Sequence, residues 1–172
     1  MHIKERHSRN TEMRWFIAYT FPKAEHKAAE KLQAMDVTCF LPLHKVVRVW
    51  SDRKKVMSVP LFPNYIFIYT TLSRLSELLR FRELVSFVTF DGEAVTVKES
   101  LVNSLKMVMG YEVTVETFRH HPGTPVKIIE GPLAGVEGIL EKYKGTSRLT
   151  LQIQALHRTV SVEVSCDTVI IA

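Results

Sequence analysis

Only two cysteines, Cys39 and Cys166, occur in the 172 residues, far apart and in apolar stretches. This excludes a disulfide framework and reads as two small, reduced hydrophobes in a cytosolic protein. No apolar run approaches the roughly 18 residues needed to cross a bilayer, and no apolar signal core opens the chain. The expected setting is cytoplasmic, away from membranes. Glycine is scarce as well: the seven residues form no phosphate-cradling loop and no nucleophile elbow, and no His-Glu-x-x-His helix is present. His120 and His121 diverge as neighbours do, with no Cys or carboxylate cluster to complete a metal site. Cys39 and His44, five apart in an extended segment, point to opposite faces. No metal, cofactor or catalytic residue is expected, so the chain reads as a binding protein rather than an enzyme.

Apolar residues make up 46% and charged residues 24%, enough to fill a globular core. Lysine and arginine number 23 against 18 acidic residues, a net charge of +5, which would draw nucleic acid or an acidic protein if the cations cluster. Residues 1–13 are polar and aperiodic and read as a flexible leader. Trp15 to Thr20 is a dense aromatic and aliphatic run, the pattern of a buried central strand. Ala24, Ala28, Leu32 and Met35 then recur with helical spacing while Lys23, Lys27, Glu30 and Lys31 project elsewhere.

From Val37 to Thr71 the pattern is β-rich: strands are expected at Val37 to Leu41, Val46 to Trp50, Val56 to Val59 and Tyr65 to Thr70. The polar run Ser51 to Lys55 turns the middle pair back as a hairpin. Leu72, Leu75, Leu78 and Leu79 predict a helix capped by Thr70 and Thr71. Asp91-Gly92 predicts a tight turn, and Leu101 to Met109 predicts a helix closed by Gly110. The order β-α-β-β-α-β-α implies an antiparallel sheet with flanking helices over residues 14–111.

Residues 112–122 lack a sustained period and read as a linker. In 123–172 strand alternation takes over: Leu149, Leu151, Ile153 and Ala155, then Val160, Val162 and Val164, each with one wet and one dry face. About five short strands in so few residues predict a small closed five-stranded β-barrel, so the fold class is α+β. Between its first strands, Gly131-Pro132-Leu133 turns the chain, and Gly135 and Gly138 permit positive φ or close backbone approach.

This Val-x-Ile strand followed by Gly-Pro, a bulky apolar residue and two spaced glycines resembles the KOW motif. Pro60-Leu61-Phe62-Pro63-Asn64-Tyr65-Ile66-Phe67-Ile68 resembles the signature segment of the NusG N-terminal domain. Trp15 to Tyr19 before a helix, and Phe40-Leu41-Pro42, also fall where that family places them. The resemblance covers about 155 residues, namely an N-terminal domain at 14–111, the linker and a KOW domain at 123–172. Asn64, where housekeeping members often carry glycine, and Val37-Thr38-Cys39 resemble specialised paralogues of the RfaH and UpxY type.

The resemblance implies a monomeric elongation or antitermination factor whose N-terminal domain sits on the RNA polymerase clamp. Trp15, Tyr19, Phe40, Phe62, Pro63, Tyr65 and Phe67 would line the apolar contact. Strand parity, however, puts Tyr65 and Phe67 on one face and Ile66 and Ile68 on the other, so one pair can be core and the other exposed to a helix or to polymerase. Lys23, His26, Lys27 and Lys31 on the first helix, Arg48, Arg53, Lys54 and Lys55 at the hairpin, and Arg80 and Arg82 would meet non-template DNA or nascent RNA; each group could equally be a solvated face. The KOW domain would take Rho or a ribosomal protein. RfaH's His-Thr-Thr element has no counterpart in Leu72 to Leu78. The strict alternation after Leu149 argues for a stable β state of this domain rather than a switch to helix. A competing reading is a KOW-containing protein that docks ribosomal RNA during ribosome assembly.

Overall fold

The computed structural model describes residues 10–50, 53–117, 123–143, 146–164 and 169–171. Most of the expected leader, Ser51-Asp52, the His120-His121 pair and Cys166 lie outside them. The chain divides into two compact units, residues 1–99 and 100–172.

In the first unit, β1 (Met13–Thr20) is the central strand of an antiparallel sheet. It begins two residues before Trp15 and pairs with β5 (Tyr65–Thr71), from Met13 opposite Thr71 to Tyr19 opposite Tyr65. The short β2 (Cys39–Phe40) adds on the far side of β5, while β6 (Leu84–Phe87) and β9 (Thr96–Val97) both pair with β1. Helix α1 (Glu25–Ala34) follows β1 and turns Ala28 and Leu32 into a core with Phe16, Ala18, Ile66 and Ile68. Its C-terminus is a Schellman closure: Val37 N–H donates to the Leu32 carbonyl at 2.9 Å and Asp36 N–H to the Gln33 carbonyl at 3.0 Å. Asp36 takes the left-handed conformation usually given to glycine there, and Val37 packs as the accompanying apolar contact.

The parity expected for β5 holds, but neither pair is fully exposed. Ile66, Phe67 and Ile68 are all completely buried, as are Phe16 and Ile17 of β1 to within 1%. The middle of the central strands is therefore dry on both faces, each of these side chains contributing on the order of 2 kcal/mol from burial.

Strands β3 (Leu43–Val49) and β4 (Lys54–Pro60) form a two-stranded ribbon of their own. Lys54 and Lys55, read as turn residues, are ladder residues opposite Val49 and Arg48. The expected helix after β5 is shorter than its leucines suggest. A 3-10 turn at Leu72–Arg74 leads into a single helical turn, α2 (Leu75–Leu78); Leu75 and Leu78 are buried but Leu72 and Leu79 are exposed. Thr71 stands at the N-cap without a capping bond to the backbone, its hydroxyl facing that of Ser73 at 3.0 Å. Asp91 and Gly92, at φ 50° and 79°, join β7 (Thr89–Phe90) to β8 (Glu93–Ala94) in the mirror-image turn that matches strand twist.

Helix α3 (Glu99–Val108) buries Val102, Leu105 and Val108 and begins at the division between the units. The second unit holds β10 (Val113–Thr117), β11 (Thr124–Ile128), β12 (Glu137–Tyr143), β13 (Thr146–Ile153), β14 (Arg158–Glu163) and β15 (Val169–Ile171). The sheet order is β10-β14-β13-β12-β11-β15. Two expectations are corrected. The five strands expected in residues 123–172 are present among the described residues as β11 to β15, but Val113 and Val115, placed in a linker, add a sixth by pairing opposite Val162 and Val160. Among the described residues β10 and β15 do not pair, so the order is an open one and not a closed barrel. The alternation also ends early: Gln154–Leu156 form a 3-10 turn, and Thr150 and Thr159 are buried on what should be wet faces.

Candidate functional site

Three surfaces of the first unit bring together the residues expected to meet partners. On one face of the central sheet, cross-strand pairing brings aromatic rings into tilted or edge-to-face contact: Trp15 with Tyr69 and Tyr19 with Tyr65, each 5.2 Å between centroids, and Phe40 with Phe67 at 5.9 Å. Phe62 leans edge-on against Phe67 at 6.2 Å. Of the seven residues expected to form an apolar contact, Trp15, Phe62 and Phe67 are buried. Tyr19, Phe40 and Tyr65 are half-buried, and Pro63 is exposed. The accessible edge of the group is therefore the Pro63-Asn64-Tyr65 turn with Tyr19 beside it.

That turn is held from below. Asn64 adopts φ 69°, a left-handed value that asparagine tolerates better than other residues bearing a Cβ. Its carbonyl accepts Thr20 N–H at 2.7 Å, and its own N–H donates to the buried Glu25 carboxylate at 2.8 Å. Sequence inspection passed over Glu25, whose signal was a carboxylate in the first turn of a helix otherwise rich in lysine.

The second surface is α1. Lys23, His26 and Lys27 are exposed, but Lys31 donates to Glu83, with Nζ 2.7 Å from Oε1. The hydrogen bond from Lys31 holds the Glu83 carboxyl below its usual range against the opposing effect of burial, and Lys27 adds to the lowering. The Lys31 charge is thus compensated within the fold. Arg82 is exposed on the loop preceding β6.

The third surface is the β3–β4 ribbon. Arg48, Arg53, Lys54 and Lys55 are exposed there. So is Trp50, which was not among the residues expected to meet a partner; its guanidinium neighbour Arg53 lies 5.9 Å from the ring centroid.

In the second unit, Gly131 and Gly135 take φ 82° and 91° in the loop joining β11 to β12, and Leu133 tucks inward. Pro132 is exposed. Gly138 has another reason to be glycine: a Cβ there would lie 2.8 Å from the Thr150 carbonyl oxygen.

Cys39 donates from Sγ to the Ala29 carbonyl at 3.7 Å, and burial pushes its thiol pKa up, which disfavours a reactive thiolate. Among the described residues no three His, Cys, Asp or Glu side chains gather as metal ligands, and no helix is long and apolar enough to cross a membrane.

The two units together make a mixed α/β chain of antiparallel sheets with few helices. The family model described as transcription termination factor nusG matches residues 13–106, more than half of the chain. The chain belongs to the NusG family of transcription factors. Among solved structures it is similar to one described as domain interaction in Thermotoga maritima NusG. Identity is 21% and the TM-score 0.53, covering 92% of this chain and 96% of that one, a likeness of fold. A structure of the MjSpt4:Spt5 complex matches with 16% identity and a TM-score of 0.31, over 92% of this chain and 97% of the other.

Proposed function

We propose that this protein is a transcription elongation factor that binds the RNA polymerase clamp and reduces pausing or termination, acting in the cytoplasm as a monomer without catalysis. The observation that carries the reading is the Pro63-Asn64-Tyr65 turn. It lies inside the family match, is fixed by Glu25 and Thr20, and presents the accessible edge of the aromatic face. Clamp binding there would favour one polymerase conformation by differential affinity alone. The cations of α1 and of the ribbon add salt-sensitive contacts to non-template DNA or nascent RNA.

Residues 123–172 act in this scheme as a KOW domain that recruits Rho or a ribosomal protein. Placement in a specialised antiterminator branch of the RfaH and UpxY type rests on the identity of Asn64, where housekeeping members often carry glycine; the left-handed φ of that turn is one that both residues tolerate.

A pull-down of the full chain on immobilised polymerase clamp helices, run beside ribosomal RNA, tests the proposal. Retention on the clamp with shortened pauses in single-round transcription is expected. Retention on ribosomal RNA alone would replace it with a role in ribosome assembly. Genome-wide occupancy of the tagged protein separates an operon-specific factor, confined to few genes, from a general one.

A further inference from the structure

The β3–β4 ribbon has two faces of different chemistry. Its register pairs His44 with Val59, Val46 with Met57 and Arg48 with Lys55 on one face. Trp50 N–H donates to the Arg53 carbonyl at 2.8 Å, which extends the same pairing by one step and puts Trp50 and Arg53 beyond Arg48 and Lys55 on that face. Near its base this face is half-buried; towards the tip all four of Arg48, Trp50, Arg53 and Lys55 are exposed. The opposite face carries Val47, Val49 and Val56, exposed, between Lys45 and Lys54.

Trp50 is 53% exposed, although a ring of this size normally finds cover. Arg53 lies over one side of the indole, and the cross-strand cation pair Arg48–Lys55 stands one step further down the same face. Three cations around one presented aromatic ring is the arrangement that binds an unpaired strand: the ring stacks a base, which every base permits, and the cations take the flanking phosphates. Duplex DNA offers phosphates to the cations but no open base to the ring. An apolar protein surface would fit the valine face better than this one.

We infer that the Arg48–Trp50–Arg53–Lys55 face of the ribbon is a stacking site for single-stranded nucleic acid. This rests on the nucleic-acid contacts of the proposed function and adds to them an aromatic residue and a stacking contact with the bases.

Tryptophan fluorescence of the full chain tests it. The only other tryptophan, Trp15, is 4% exposed, so a change in quencher access reports on Trp50. Titration with oligo(dT), oligo(rU) and a mixed-sequence duplex should quench emission and shield Trp50 with the single strands only; the tighter of the two identifies DNA or RNA as the source. Trp50→Ala should weaken single-strand binding about tenfold, and Trp50→Phe should restore most of it. Val56→Thr, on the opposite face, should leave binding unchanged. Equal binding by wild type and Trp50→Ala, preference for the duplex, or an equal loss in Val56→Thr would each overturn the assignment. So would shielding of Trp50 by polymerase but by no oligonucleotide, which would make the face a protein contact. Clamp binding measured on the same variants should not change, so failure of the polymerase reading and failure of this one give different results.

Discussion

The Glu25 carboxylate accepts the backbone N–H of Asn64 at 2.8 Å, tying the first turn of α1 to the strand-entry turn 39 residues away in sequence. Glu25 is buried and its partner partly so, hence removing the acceptor leaves a donor without compensation. Glu25→Ala should destabilise the protein by about 1–3 kcal/mol in urea unfolding. It should also weaken clamp binding more than a surface substitution of equal stability cost, because Pro63 and Tyr65 flank the freed amide.

Asn64 itself is conformationally selected. At φ 69°, Asn64→Gly should be tolerated to within a few tenths of a kcal/mol, whereas Asn64→Val should cost roughly 1–2 kcal/mol for forcing a branched side chain into the left-handed region. Thermal denaturation of the pair decides it; equal midpoints would show that the turn relaxes to negative φ.

Lys31 and Glu83 predict a pH signature. The folded Glu83 carboxyl is held below its unfolded value, so the ion pair's contribution is fully present above the unfolded carboxylate range and is lost as pH falls through the lowered folded value. The difference in melting temperature between wild type and Glu83→Gln should therefore be constant near neutrality and shrink on acidification below about pH 4. A difference that grows on acidification would reverse the assigned sign.

The same pair separates two roles along α1. Lys23→Gln and Lys27→Gln should each lower the salt dependence of nucleic-acid binding, by about 0.7 in the log–log slope on single strands, if each meets a phosphate. Lys31→Gln should lower stability instead and leave the slope nearly unchanged, since its ammonium is engaged by Glu83.

Gly138→Ala should destabilise the second unit by about 1–3 kcal/mol, because the new methyl group meets the Thr150 carbonyl oxygen and the Leu149 side chain with little room to move. Gly135→Ala faces open space and is penalised only by its positive φ. Hydrogen exchange of β12 and β13 amides would register the first substitution more strongly than the second.

What could be read in advance was whatever local chemistry dictates. The β1–α1 succession followed from an unbroken apolar run and a helical recurrence, the Asp91-Gly92 turn from two residues that accept positive φ, and the close approach at Gly138 from the absence of a side chain. Partners distant in sequence were less visible. Val113 and Val115 alternate too briefly to announce a strand without β14 beside them. His157, at φ 48°, ends the 3-10 turn after β13 where no glycine marks the bend. At the candidate site the residue types were evident, but accessibility was not: alternation cannot reveal that both faces of β5 are covered, nor that Glu83 arrives to neutralise Lys31. Trp50 was hidden differently. At the end of an apolar strand an indole looks like core, and only the ribbon's isolation from the main sheet leaves it outside.

The strand order of the second unit also implies an order of assembly. Neighbours β11, β12, β13 and β14 follow one another in the chain, so each of their pairings closes a short loop and costs little chain entropy. The two outermost strands are recruited from the extremes of the segment, β10 onto β14 and β15 onto β11, and each must close a loop spanning most of the unit. The four-strand meander is therefore expected to nucleate first and the edges to pair afterwards. Truncations at either edge should slow the final consolidation of the unit far more than the formation of its centre.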